Sequence, residues 1–148
     1  MDGAAAAIAR IRRIHYPLRF LSNTSKAPAC NLHAKLLQCG VKGVVEADIA
    51  TSLTACRDAV SLARQNPLLI LTEEAAVEFQ SIKGAVLAPR ATEPSLSPEM
   101  LASLDAVVIG LAPDRMHYGA LDAALQVLIG ANSDTHASCT AHRSMPGT

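Results

Sequence analysis

Short, wholly apolar runs alternate along the chain with longer stretches whose apolar positions recur at helical spacing, and that alternation predicts an α/β fold. Residues 3–14 put Ile8, Ile11 and Ala4 on one face and predict a helix, broken at Tyr16-Pro17. Leu18–Leu21 predicts a short buried strand that runs into a polar cluster, Ser22-Asn23-Thr24-Ser25. Asn31–Gln38 predicts a second helix, with Leu32, Leu36 and Leu37 as its apolar face and Gly40 closing it. Asp48–Leu62 predicts a helix, or a hinge and then a helix, with Thr51 or Ser52 as N-cap. After the break at Asn66-Pro67, Leu68–Leu71 predicts a strand, and Thr72-Glu73-Glu74 opens a short helix through Phe79. Ala88–Pro98 (APRATEPSLSP) predicts an exposed loop, and Ala106–Leu111 (AVVIGL) carries the strongest strand pattern in the chain. Pro113-Asp114 predicts a turn into a helix over Arg115–Leu128, burying Met116, Ala120, Leu121, Ala124, Leu125 and Leu128 and ended by Gly130. Residues 131–148 show no periodicity and read as an irregular tail.

The 148 residues suit one domain or slightly more, and a half-hydrophobic composition with 18% charge excludes disorder, collagen and an acidic tail. With 3% aromatics and no Trp, the core must be built from Ala, Leu, Val and Ile. Thirteen basic and thirteen acidic residues cancel, which argues against a dedicated nucleic-acid binder. The balance is uneven, because residues 1–43 carry seven basic side chains and one acidic one. That front end could meet an anionic group, although two solvated faces explain it more simply. No apolar run approaches the roughly 18 residues of a membrane helix, so the expectation is a cytoplasmic protein with no membrane partner. The opening MDGAAAAIARIRRIHYPLRF mildly resembles an organellar transit peptide; an amphipathic core helix is the preferred reading.

The cysteines (30, 39, 56, 139) and the histidines (15, 33, 117, 136, 142) lack metal-ligand spacing, so metal binding through them is not expected. Ser22-Asn23-Thr24 after a strand could hydrogen-bond phosphate oxygens, helped by the N-terminus of the following helix and by Lys26. Helix capping and a solvated lysine account for the same residues. Asp114 reads as a helix cap, and His117-Tyr118 as core or cap. No glycine-rich phosphate loop, GxSxG elbow or HExxH is present.

Taken in order, FLSNTSK, DIATSLTACRDAV, LLILTEE and DAVVIGLAPDRMHYGALDAALQVL resemble the haloacid dehalogenase-like phosphatases, in the branch with an α/β cap after the second core motif. The resemblance covers about residues 3–130. It implies a partial Rossmann-like core over residues 1–47, a cap over 48–130 and an irregular tail over 131–148. It also implies magnesium-dependent hydrolysis of phosphate esters or phosphoanhydrides. In that chemistry an Asp attacks phosphorus to form an aspartyl-phosphate, a second acid two residues later handles protons, and Mg²⁺ with a Lys offsets phosphate charge. Ser22 matches the second-motif hydroxyl that bonds the transferring phosphoryl group, and Asn23 the neighbouring pocket residue. Thr51 and Ser52 match the passage from core to cap.

Other family features do not match. The first motif, a strand followed by Asp-x-(Asp or Ser)-Gly-Thr, does not occur; Asp2-Gly3 echoes it without the preceding strand or the Thr. The Lys and Gly-Asp-Asp motifs would lie beyond residue 148. Asn132, Asp134 and Pro146-Gly147 faintly resemble the cap-to-core segment, or belong to unrelated sequence. The expectation is a truncated phosphatase-like chain, inactive alone, with no catalytic residue and no Mg²⁺ of its own. Ser22 and Asn23 would bind a small phosphorylated molecule weakly. The alternative is a non-catalytic binding or regulatory module that pairs with a full-length relative or another partner, as a homo- or hetero-oligomer.

Overall fold

Parallel pairing organises every strand among the described residues. In the computed structural model, which describes residues 3–130, the order is α1 (Ala4–Arg13), β1 (Phe20–Ser22), α2 (Ala29–Gln38), β2 (Ile49–Thr51), α3 (Ser52–Ala63) and β3 (Pro67–Ile70). There follow α4 (Glu73–Ala76), continued by a 3₁₀ turn through Phe79, then β4 (Val86–Leu87), α5 (Pro98–Ala102), β5 (Ala106–Ile109) and α6 (Tyr118–Ile129). β1 and β2 form one sheet; β4, β3 and β5, in that order, form a second. The chain is α/β, as its pattern predicts. No described helix is long and apolar enough to cross a membrane.

The second sheet is covered on both faces, because its strands alternate sides. Leu68, Ile70 and Val107 face α6 and Leu104, whereas Leu69, Leu71 and Val108 face α3, Ala75 and Phe79. The first sheet is covered on one face. Phe20 and Ile49 pack with Val41, Val44 and the inner sides of α1 and α2, through Ala5, Ile8, Leu32 and Leu36. Leu21, on the other face of β1, is 83% exposed.

Several elements depart from the sequence pattern. β1 runs to Ser22, and the segment from residue 48 opens with strand β2, which pairs with β1 through Phe20↔Ile49 and Ser22↔Thr51. The first sheet therefore draws on residues beyond 47. Thr51 is the N-cap of α3: its hydroxyl accepts from Thr54 N while Thr54 Oγ1 accepts from Thr51 N. α2 starts two residues early, and Leu37 is exposed. Gly40, at φ 80°, closes it with Val41 N–H donating to Leu36 and Gly40 N–H to Leu37, a Schellman arrangement that also buries Val41. β4 and α5 were not predicted, and Ala88, expected in an exposed loop, is fully buried.

α6 departs furthest from its sequence pattern. It begins at Tyr118, not Arg115, and buries Ala120, Ala123, Ala124 and Val127, while Met116, Leu121 and Leu125 are exposed. Small alanines let the helix lie close on β3 and β5, so packing distance rather than side-chain hydrophobicity chose the inward face. On α1, Ile8 and Ile11 are half-buried, but Ala5 rather than Ala4 joins the core. The expected tail, with His136, Cys139 and His142, lies outside the described residues, as do Asp2, Asn132, Asp134 and Pro146-Gly147.

Candidate functional site

In a parallel sheet, carbonyl ends of strands gather polar loops, and here two such edges meet. The loop from Asn23 to Pro28 leaves the C-terminal end of β1 and packs against the C-terminal ends of β3 and β5. Thr72 Oγ1 donates to the Lys26 carbonyl (2.9 Å), Leu111 N–H to Ser25 Oγ (3.2 Å) and Ser52 Oγ to the Thr24 carbonyl (2.7 Å). Gly110 makes the close approach possible: a Cβ there would stand 2.8 Å from the Ser25 carbonyl oxygen and 2.6 Å from Leu71 Cδ2.

Beside this junction is a cleft of about 310 Å³ lined by Asn23, Ser25, Ser52, Leu53, Cys56 and residues 107–109 of β5. Asn23 is exposed and opens on the cleft. Ser22, half-buried, ends β1 one residue earlier and is not among the wall residues. The wall supplies the Asn23 amide and the Ser25 hydroxyl for neutral hydrogen bonding of an anion's oxygens, while the Ser52 hydroxyl donates to the Thr24 carbonyl and shapes the wall. Lys26 is exposed.

The helix expected to assist is otherwise engaged. The N-cap of α2 is Pro28, which has no side-chain acceptor, and the first amide of the helix, Ala29 N–H, donates to Glu78 Oε1 at 2.5 Å. Glu78 is only 9% exposed and its other oxygen accepts from Arg57 at 3.1 Å. A carboxylate at the helix start satisfies the N-terminal dipole from within, so this terminus does not serve an incoming phosphate.

A second polar cluster, invisible in the sequence, occupies the C-terminal edge of the second sheet. Arg115 is 3% exposed; it donates to the Ala88 carbonyl and pairs with Glu73 (3.2 Å) and Glu93 (3.6 Å). Arg90 pairs with Glu73 (2.8 Å), Asp114 (3.1 Å) and Glu93 (3.4 Å). Asp114 therefore answers Arg90 instead of capping a helix. The Arg90 hydrogen bond holds the Asp114 carboxyl below its usual range, and the Arg90 backbone N–H does the same for Glu93. Two guanidiniums face three carboxylates, so the cluster is internally compensated and offers no surplus positive charge to a phosphate.

The remaining sequence candidates stay apart. His33 donates from Nε2 to the Val44 carbonyl (2.8 Å) and His117 from Nε2 to the Pro89 carbonyl (2.9 Å), both structural bonds. Cys30, Cys39 and Cys56 form no disulfide. Magnesium, which the resemblance implies, prefers several carboxylate or carbonyl oxygens. The cleft wall carries no carboxylate, and among the described residues no group of three or more His, Cys, Asp or Glu is placed to hold a metal ion. These residues do not fit the metal.

Comparison with known proteins bears on the family and the fold. A family model for haloacid dehalogenase-like hydrolases matches residues 1–84. The chain is 32% identical over 129 residues to haloacid dehalogenase-like hydrolase domain-containing protein 2 of Bos taurus, and 30% identical to that of Homo sapiens. Each match covers 87% of this chain and 43% of the relative, so the chain spans less than half the length of the curated relatives it matches. Among solved structures, a hypothetical protein from Pyrococcus horikoshii OT3 superposes with a TM-score of 0.72 at 26% identity, over 88% of this chain and 49% of that one. The p-nitrophenyl phosphatase from Archaeoglobus fulgidus shares the fold at TM-score 0.66 and 15% identity, over 85% of this chain and 45% of that one. With over half its length matched by the family model, the chain belongs to the haloacid dehalogenase-like hydrolase family.

Proposed function

We propose that residues 1–148 supply the phosphate-recognising loop and cap of a haloacid dehalogenase-like phosphatase, and that this polypeptide by itself does not turn over a phosphate ester. One observation carries the binding half of this reading. Ser22 closes a strand whose carbonyl end leads directly into Asn23, and Asn23 opens on a cleft that the Ser25 hydroxyl also lines. The catalytic half rests on the sequence, which holds no strand followed by Asp-x-(Asp or Ser)-Gly-Thr, and on a cleft wall without a carboxylate. Loss of a hydrolase nucleophile costs on the order of 10⁶ in rate. Neutral hydrogen bonds to an anion contribute about 1.5–3 kcal/mol each before the cost of association, so inorganic phosphate should bind no tighter than about millimolar. The test is phosphomonoester hydrolysis with Mg²⁺, paired with a phosphate titration of the same protein. Turnover abolished by Asp2→Asn, or a micromolar dissociation constant lost in Ser22→Ala, would overturn the reading.

A second reading, a non-catalytic module pairing with a full-length relative, is favoured by the uncovered face of β1 at Leu21. Light scattering decides it: a monomer at all concentrations, with and without the relative, removes it.

A further inference from the structure

α2 lacks an N-cap of its own. Pro28 stands at the cap position with no side-chain acceptor, although an uncapped helix leaves its first amides unsatisfied. The missing acceptor arrives from 49 residues away, where Glu78, in the turn after α4, receives Ala29 N–H at 2.5 Å. Arg57 on α3 holds the other carboxylate oxygen at 3.1 Å and is itself tied to Asp58 at 2.7 Å, which fixes the direction of the Glu78 side chain.

The placement matters because of what lies just upstream. The loop from Asn23 to Pro28 is pinned at its start by the β1–β2 pair Ser22↔Thr51 and at its end by Glu78 on Ala29. Between these anchors the loop is held by neutral contacts from Ser52, Thr72 and Leu111. Glu78 is the anchor that carries charge, and its side chain is largely withdrawn from water.

We propose that Glu78 is a positioning residue for the Ser22–Asn23 loop: by capping α2 across the junction of the two sheets, it fixes the loop that meets the phosphate. This rests on the reading of Ser22 and Asn23 as anion-binding groups. It adds that their geometry is set from the second sheet's side, so a change there reaches the anion without touching it. Preorganised donors bind at lower entropic cost, and freeing the start of α2 removes that preorganisation.

The experiment uses the isotope-labelled full chain and the variants Glu78→Ala and Glu78→Gln, read by amide chemical shifts, amide exchange and titration with inorganic phosphate. Gln keeps an acceptor for Ala29 and loses the charge facing Arg57. Glu78→Ala should shift and deprotect the amides of Ser22, Asn23 and Ser25 and weaken phosphate about fivefold, while Glu78→Gln restores both. Substituting Ser22→Ala in the Glu78→Ala background should then cost less affinity than in the parent, since coupled sites are not additive. A merely structural Glu78 would lower thermal stability and leave these readouts unmoved at temperatures well below melting. Glu78→Asp, one methylene short of Ala29, should give an intermediate shift and replaces the alanine variant if that fails to fold. Perturbation confined to residues 75–82 and Ala29 overturns the proposal. If phosphate up to about 50 mM moves neither Ser22 nor Asn23 in the parent, the anion-binding reading fails, while the exchange data still decide the positioning role.

Discussion

Gly110→Ala tests the contact on which the junction of the two sheets depends. The added methyl would sit 2.6 Å from Leu71 Cδ2, 2.8 Å from the Ser25 carbonyl oxygen and 3.3 Å from Ser25 Cβ. Leu71 is fully buried and has no free direction to retreat, and the Ser25 oxygen is backbone. Relief would have to come from separating the Ser25 loop from the end of β5, where Gly110 N–H donates to the Ile70 carbonyl (3.0 Å) and Leu111 N–H to Ser25 Oγ (3.2 Å). Overpacking of this kind costs about 1–3 kcal/mol. For a chain of this size that lowers the melting temperature by about 3–10 °C. Gly119→Ala is the matched control. A Cβ there meets nothing closer than a His117 ring atom at 3.4 Å, and the residue lies in the first turn of α6, so alanine should be neutral or stabilise by about 0.5–1 kcal/mol. Circular dichroism melts beside the parent should show a lowered melting temperature for Gly110→Ala and an unchanged or raised one for Gly119→Ala. A Gly110→Ala protein as stable as its parent would refute the close approach.

Thr51→Ala removes the N-cap acceptor for Thr54 N–H and should destabilise the chain by about 1 kcal/mol in urea denaturation, with Thr51→Ser largely sparing it. Glu93 and Asp114 are both held below their ordinary values of 4.5 and 3.8, so their contribution to stability is complete above those values and is lost as the pH falls through the lower, folded-state ones. Arg90→Gln removes the side-chain hydrogen bond that is the leading cause for Asp114, and melting curves from pH 6 down to about pH 3 should show a shallower acid decline than the parent; identical slopes would count against it. Amide exchange should be slower at Val107 and Val108, inside a sheet covered on both faces, than at Phe20 and Leu21 in the two-stranded sheet; equal protection in a dilute monomer would contradict that ordering.

The elements legible in the sequence were those that carry their own signal. AVVIGL around β5 and the apolar run around β3 are wholly apolar because both faces of their sheet are covered, and Thr72 and Thr51 stand where helices need an acceptor. β4 is two residues long, and only the pairing of Leu68 with Val86 makes it a strand. The short α5 had a local signature, Ser97 as N-cap with Pro98 in the first helical position, that the surrounding loop composition hid. Arg115 carries a misleading signal. A charged residue in a helix-like window signals solvent, whereas here the loops after β3 and β4 close over it through Glu73, Glu93 and the Ala88 carbonyl. At the candidate site, Ser22 and Asn23 are singled out by the family resemblance, whereas Glu78 carries no such signal: its partner is a backbone amide 49 residues away that the sequence does not mark.

The all-parallel topology also dictates an order of assembly. The paired residues lie 18 apart for Leu68↔Val86, 29 apart for Phe20↔Ile49 and 39 apart for Pro67↔Ala106. Among the described residues no hairpin offers a local start, and each sheet contact must first close a loop. The entropy of closing the 39-residue loop exceeds that of the 18-residue one by about 0.7 kcal/mol, which favours β3–β4 as the first pair to form. β5 then docks on a partner strand already in place, bringing α6 with it. The chain should consequently fold more slowly than a helical bundle of the same length, with the segment from Pro67 to Leu87 as the nucleus on which the rest condenses.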